Sequence, residues 1–161
     1  MFNGCKYLTS FKGDLSSLTN GTYMFNNCKY LTSFKGDLSS LTDSSYMFYQ
    51  CSSLTSFNSD LSSLTNGSSM FYQCSSLTSF NSDLSSLTNG SSMFGGSTTN
   101  CSKLDLPSVQ NIANTINDLA SKGSTGSIKI GINKTLQGNE ELNTALATIR
   151  SKGWTVSEIY K

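Results

Sequence analysis

A chain of 161 residues with a formal net charge of +1 has room for one or two small units and no field to steer nucleic acid or an anionic membrane onto it. It has no histidine, so the commonest general base and the commonest zinc ligand are both missing. No apolar run is long enough to cross a membrane, and no basic segment leads into an apolar one as in a secretory leader. The expectation is a chain without cofactor, nucleic acid or membrane insertion.

From Met1 the sequence repeats every 23 residues. Residues 47–69 and 70–92 are identical, MFYQCSSLTSFNSDLSSLTNGSS, and residues 1–23 and 24–46 share the frame MFxxCKYLTSFKGDLSSLT. A fifth copy opens at Met93 and then diverges. Self-similarity at a fixed period is the signature of a stacked solenoid. The pattern is already running at Met1, so the expectation is either a fragment of a longer protein or an exposed first rung. An uncapped rung invites end-to-end self-association.

Within one unit, residues 8–12 read as a short strand. Gly13 and Asp14 mark a turn, and Leu15 to Leu18 a single tight turn. Met24 and Phe25 then lead through Cys28 into the next strand. One unit cannot bury Leu8, Phe11, Leu15, Leu18, Met24 and Phe25 alone, whereas stacking buries them against their equivalents. Parallel strands lie about 4.8 Å apart. Phe11, Phe34, Phe57 and Phe80 are therefore expected to form one internal ladder, with Met24 to Met93 and Phe25 to Phe94 forming others.

Cys5, Cys28, Cys51 and Cys74 keep the same period, which matches neither a zinc knuckle nor a redox Cys-x-x-Cys pair. A ladder of buried free thiols is the expectation. Disulfides, which need closer Cβ atoms than stacked rungs provide, and a metal or catalytic role are the alternatives. Cys101 reads as the same position displaced by an insertion. Asp14, Asp37, Asp60 and Asp83 each precede Leu-Ser-Ser-Leu. Turn capping accounts for them, with a cation held between stacked carboxylates as the alternative.

The outward strand positions are Ser10/Lys12, Ser33/Lys35, Ser56/Asn58 and Ser79/Asn81. Lys6–Tyr7 and Lys29–Tyr30 become Ser52–Ser53 and Ser75–Ser76. The first half thus carries a basic, tyrosine-bearing edge of Lys6, Tyr7, Lys12, Lys29, Tyr30 and Lys35, the candidate binding residues for a protein or glycan. Ordinary solvated surface is the alternative. Aligned Thr9, Thr32, Thr55 and Thr78 raise the idea of ice binding, but threonine suits strands in any case. Asn20, Asn66, Asn89 and Asn133 lie in N-x-Ser/Thr sequons, which chance alone supplies in so Ser- and Thr-rich a chain.

After Lys103 the composition changes. Pro107 and Ser108 suit a helix start, and Val109, Ile112, Ala113, Ile116, Leu119 and Ala120 follow with helical spacing. Residues 123–126 end that helix. Residues 127–133 (SIKIGIN) alternate as a strand. Asn139 is placed to cap a second helix bearing Leu142, Ala145, Leu146 and Ile149, with Glu140 and Glu141 in its first turn. Lys152–Gly153 is a stop, and residues 154–160 (WTVSEIY) are a last strand. Residues 1–103 are read as the solenoid and residues 104–161 as a helix–strand–helix–strand cap continuing the stack. Gly126 and Gly131 form no nucleotide fingerprint.

The motif MFxxCxxLTSFxxDLSSLT resembles bacterial leucine-rich repeats of the BspA-like surface-antigen class. It is similar to the short variant, MFxxCxxLxxL, of surface lipoproteins. Met24, Phe25, Cys28, Leu31, Phe34 and their equivalents over residues 1–94 carry the likeness. The unit departs from that variant in having Phe-x-Gly/Ser-Asp-Leu where Leu-Asp-Leu is usual, which leaves the strand register open. The resemblance implies an α/β solenoid of parallel short strands, curved, bacterial or phage-associated, and used for adhesion or recognition at a cell surface or on a virion. It implies no catalytic residues and names no ligand. A structural spacer or phage tail component is the competing reading. An enzyme is a third, without any acid–base constellation to support it.

Overall fold

The computed structural model describes residues 1–161 other than 85, 96–101, 103, 122–126, 152, 154 and 161. Four short strands, β1 (Ser10–Gly13), β2 (Ser33–Gly36), β3 (Ser56–Phe57) and β4 (Ser79–Phe80), mark successive rungs. β1 pairs parallel with β2, placing Phe11 on Phe34 and Lys12 on Lys35, and β3 pairs likewise with β4. The strand expected at residues 8–12 therefore begins and ends later, because Leu8 closes a turn by donating its amide to the Cys5 carbonyl. β3 and β4 are half as long as β1 and β2. Ser59 and Ser82 stand there in place of Gly13 and Gly36, the last residues of the longer strands.

Two further lines of backbone bonds sew the rungs together. Asn20, Asp43 and Asn66 bridge in parallel up to Asn89. At the Met–Phe corner, Phe2, Phe25 and Phe48 donate their amides to the Met24, Met47 and Met70 carbonyls at 2.9–3.0 Å. Each corner needs left-handed backbone. Tyr23, Asn27, Tyr46, Gln50, Ser69, Gln73 and Ser92 all have φ between 55° and 61°, while Gly4 takes the equivalent place in the first unit at 74°. All seven are tyrosine, asparagine, glutamine or serine; none is β-branched, which the left-handed region disfavours most.

All nine phenylalanines of the chain join one herringbone. Phe11, Phe34, Phe57 and Phe80 stack with centroids 5.4, 5.8 and 6.1 Å apart. Phe2, Phe25, Phe48, Phe71 and Phe94 stack at 5.1–5.6 Å. Edge-to-face contacts such as Phe57–Phe71, at 4.9 Å and 66°, knit the two columns. This is the preferred geometry for aromatic quadrupoles. Around it Met47, Met70 and Met93, and the leucines at 31, 54, 77, 38, 61, 84, 41, 64 and 87, are fully buried.

The tight turn at Leu15–Leu18 and its copies closes by an amide-to-carbonyl bond of 2.8–3.0 Å. The aspartates cap it: the Ser16, Ser39 and Ser62 amides donate to Asp14, Asp37 and Asp60 at 2.8–2.9 Å. The corresponding serine after Asp83 lies outside the described residues.

The remaining elements are β5 (Asn89–Gly90), α1 (Leu106–Ser121), β6 (Ser127–Ile132), a 3₁₀ turn (Lys134–Leu136), α2 (Glu140–Ser151) and β7 (Thr155–Tyr160). They meet the solenoid along two lines. β6 pairs parallel with β5, on the Asn20–Asn89 line, and β7 pairs with β6 over all six residues. Among the described residues, no further strand follows β4 on the strand line. Instead, the Phe80 amide donates to the Ser108 hydroxyl at 2.9 Å, Asp105 donates its amide to the Thr78 carbonyl, and Asn111 donates its side-chain amide to the Ser82 carbonyl. Backbone groups that would have sought a fifth strand are satisfied by the first turns of a helix.

α1 starts at Leu106, just ahead of Pro107 and Ser108 as expected, and Asp105 caps it by accepting from the Ser108 amide at 3.0 Å and from the Ser108 hydroxyl. Asn139 caps α2 through the Leu142 amide at 2.8 Å, and Glu140 and Glu141 occupy the first turn. Val109, Ile112 and Ala113 are buried in α1, as are Leu142, Leu146 and Ile149 in α2. The side chains of Ile116, Leu119 and Ala120, and the residues at 101, 123–126 and 152, lie outside what is described. Gly153 adopts φ 83° at the α2 stop.

Candidate binding surface

Strand alternation sends Phe11 and Phe34 inward and leaves Ser10, Lys12, Ser33 and Lys35 exposed. The turn that follows turns Asp14 and Asp37 to the same side. Lys12, Gly13, Asp14, Ser16, Lys35 and Asp37 together line an open concavity of about 580 Å³. Glycine shapes its floor. A Cβ on Gly13 would sit 2.8 Å from Phe11 Cζ, and one on Gly36 2.6 Å from Phe34 Cζ.

The Ser16 hydroxyl and amide hold the Asp14 carboxyl below its ordinary range, and the Ser39 amide and hydroxyl do the same for Asp37. Both groups are therefore carboxylates at neutral pH, fixed in direction. In the upper rungs Asn58 and Asn81 stand in the lysine positions, with exposed Asp60 and Asp83 beside them.

The other candidates lie elsewhere on the first rungs. Tyr7 and Tyr30 stack in parallel with centroids 6.2 Å apart and are 87% and 56% exposed. Lys6 and Lys29 flank them, also exposed. Lys29 contributes to a second concavity of about 250 Å³ with Gln50, Ser52, Gln73 and Ser75. Its floor is tied by a Gln50-to-Gln73 amide bond of 2.6 Å. The six residues of the basic, tyrosine-bearing edge thus divide between two places: Lys12 and Lys35 on the strand face, the rest at the preceding turn.

Two surface features were missed in the sequence. Tyr23 stacks on Tyr46 at 4.9 Å, Tyr46 tilts against Tyr49, and Tyr49 stacks on Tyr72 at 5.0 Å, forming a diagonal ribbon. The same 23-residue spacing signals each pair, but the step from one column to the next is visible only in the fold. The second feature is the side-chain ladder on the Asn20–Asn89 line. Asn89 donates to Asn66 at 3.0 Å, and Asn66 donates to Asp43 at 3.1 Å. Partial burial pushes the Asp43 carboxyl up, but donors from Ser45, Asn66 and Thr22 outweigh it and leave the group lowered.

The cysteines depart from one uniform buried ladder. Cys28, Cys51 and Cys74 are buried free thiols, donating to the Phe2, Phe25 and Phe48 carbonyls at 3.1–3.2 Å. Cys5, in the first of the four units, is exposed. Burial pushes the Cys28 thiol up to about 11, and drives Cys51 and Cys74 further in the same direction. Such thiols are not nucleophiles at neutral pH. Among the described residues no group of three or more Cys, Asp or Glu is placed to hold a metal ion, and no helix is long and apolar enough to cross a membrane.

No curated protein and no solved structure matches the chain. A family model does: that of the BspA type leucine-rich repeat region, in six copies over residues 1–130. The match covers the four regular units and continues through the divergent fifth into α1 and most of β6. With its parallel short-strand rungs and helix–strand–helix–strand C-terminal region, the chain belongs to the BspA-type leucine-rich repeat family.

Proposed function

We propose that this chain is a non-catalytic binding solenoid that recognises a protein or glycan at a cell surface, outside the cell, through the edge formed by Lys6, Tyr7, Lys12, Lys29, Tyr30 and Lys35. In this reading residues 1–103 are the recognition solenoid and residues 104–161 its cap. One observation carries it. Residues 24–46 and 47–69 keep the same buried apolar side chains, yet lysine and tyrosine give way to serine and asparagine on the outside. The core is set by stacking, and the exchanges of exposed Lys29, Tyr30 and Lys35 for Ser52, Ser53 and Asn58 leave its apolar side chains unchanged.

Exposed tyrosine offers a rigid amphipathic contact at low entropic cost, and exposed lysine sets charge complementarity. The stacked Tyr7–Tyr30 pair and the Lys12–Lys35 pair are each built by rung register, so they are preorganised. The test is a binding screen of the intact protein against host-surface proteins and glycans, repeated with Lys12→Glu/Lys35→Glu and with Tyr7→Ser/Tyr30→Ser. Loss of a hit in either variant, with circular dichroism unchanged, supports the reading. Hits insensitive to both variants would remove this edge from the function.

A further inference from the structure

The strand face carries more than two lysines. Lys12, Lys35, Asn58 and Asn81 form one exposed row, one residue per rung, and all four side chains carry hydrogen-bond donors. Asp14, Asp37, Asp60 and Asp83 form a second exposed row two residues further along the chain. In the first two rungs both rows line the same concavity. A strip of donors thus runs beside a strip of acceptors, across the rungs. Among the described residues neither Lys12 nor Lys35 is ion-paired with Asp14 or Asp37. The ammonium groups are not consumed by their neighbours.

We infer that this strip binds an acidic polysaccharide, a linear polymer of sugar acids, lying along the rows with its carboxylates toward Lys12 and Lys35 and its hydroxyls toward the aspartates; this rests on the reading of the lysine edge as a binding surface. The reason is complementarity. A carboxylate such as Asp14 accepts only, and an ammonium donates only. Nucleic acid or an acidic peptide would satisfy the lysines but meet like charge at the aspartate row. A neutral glycan would satisfy the aspartates and leave the lysines without a counter-charge. A sugar acid presents carboxylate and hydroxyl donors on one ring and satisfies both rows.

The site also has the form such a ligand needs. Two carboxylates are aimed by the Ser16 and Ser39 amides before anything binds. The concavity is open, so each exposed charge contact is weak by itself. A polymer meeting several rungs at once gains by effective concentration what a single sugar lacks.

The experiment uses the full chain, titrated calorimetrically with polygalacturonate, alginate, hyaluronan and polysialic acid. Methyl-esterified polygalacturonate and poly-glutamate serve as comparison polymers. The expected result is binding to at least one sugar-acid polymer, weakened at least tenfold by Lys12→Glu/Lys35→Glu and, for polygalacturonate, by esterification. Asp14→Asn/Asp37→Asn is the deciding variant. It should weaken a sugar acid severalfold, whereas it would strengthen a simple polyanion by removing repulsion. Stronger binding in that variant, equal binding of poly-glutamate, or no binding of any of the four polymers by folded protein overturns the inference. If a neutral glycan or a protein binds instead and is lost in Lys12→Glu/Lys35→Glu, the edge stands as a binding surface while its assignment to sugar acids falls.

Discussion

Phe57→Ala tests whether the herringbone is the core that holds the rungs. Phe57 is 2% exposed and touches four rings: Phe34 at 5.8 Å, Phe48 at 5.4 Å, Phe71 at 4.9 Å and Phe80 at 6.1 Å. Truncating a buried phenylalanine costs about 3–5 kcal/mol in transfer and cavity terms. The rung cannot collapse onto the hole without breaking register with both neighbours, so the upper half of that range, about 4 kcal/mol, applies. Phe11→Ala is the matched control. It follows the same Leu-Thr-Ser, but Phe11 is only partly buried and meets three rings, Phe2, Phe25 and Phe34. About half the loss, roughly 2 kcal/mol, is expected. In urea with an m-value of about 2 kcal/mol/M, these losses shift the midpoint by about 2 M and about 1 M. Far-ultraviolet circular dichroism and tyrosine fluorescence should report the same transition if the solenoid unfolds as one unit. A Phe57→Ala/Phe71→Ala double-mutant cycle should return about 0.5–1.5 kcal/mol for the edge-to-face pair. Equal losses at Phe57 and Phe11, or a coupling near zero, would refute the stacked-ring account.

Further outcomes are expected at Ser69, Gly131, Ser108 and the cysteines. Ser69→Gly should stabilise by about 0.5–1 kcal/mol, seen as a rise in Tm, because Ser69 sits at φ 55° where only glycine is unstrained. Gly131→Ala should lower Tm sharply, since its Cβ would lie 2.4 Å from the Ser102 carbonyl oxygen, a backbone atom with no rotamer to yield. Ser108→Ala leaves the Phe80 amide, which donates to it at 2.9 Å, without a partner in a buried junction, at a cost of about 1–3 kcal/mol in chemical denaturation. Thiol titration at pH 8 under native conditions should label Cys5 and spare Cys28, Cys51 and Cys74. The raised Cys28 value favours the folded state below the unfolded-state thiol pKa, and that stability is lost as pH climbs toward about 11, so urea midpoints should fall across this alkaline window.

The solenoid was legible in the sequence because its period is covalent. Phe11, Phe34, Phe57 and Phe80 must stack if the rungs do, whatever the strand bounds. The bounds themselves were less legible. Nothing in Leu8–Thr9 says that the Leu8 amide is spent on the Cys5 carbonyl, which delays the strand to Ser10. The helix start near Pro107 and Ser108 was readable, but the partners there were not: only the fold shows that the Ser108 hydroxyl accepts from the Phe80 amide while Asp105 caps. On the surface, pairs at one period were readable, as with Tyr7 and Tyr30. The tyrosine ribbon was not, because it steps sideways from Tyr46 to Tyr49, and the proximity of those two side chains depends on the left-handed corner at Tyr46.

A repeat separates the residues that fold it from the residues that distinguish it. Between residues 24–46 and 47–69 every buried apolar side chain is kept, from Met24/Met47 through Cys28/Cys51 to Leu41/Leu64. The changes fall on lysine, tyrosine, aspartate, asparagine, glycine and serine positions. The identity of residues 47–69 and 70–92 adds a constraint of its own. Two rungs with the same surface cannot recognise two different features of a partner. They can only meet the same feature twice, or hold the distinctive rungs at a distance. A ligand that uses the whole strip must therefore be periodic itself, as a polymer is. A ligand that is not periodic must dock on a part that is not duplicated, either the first two rungs, where Lys12, Lys35, Tyr7 and Tyr30 are found, or the chain beyond residue 92.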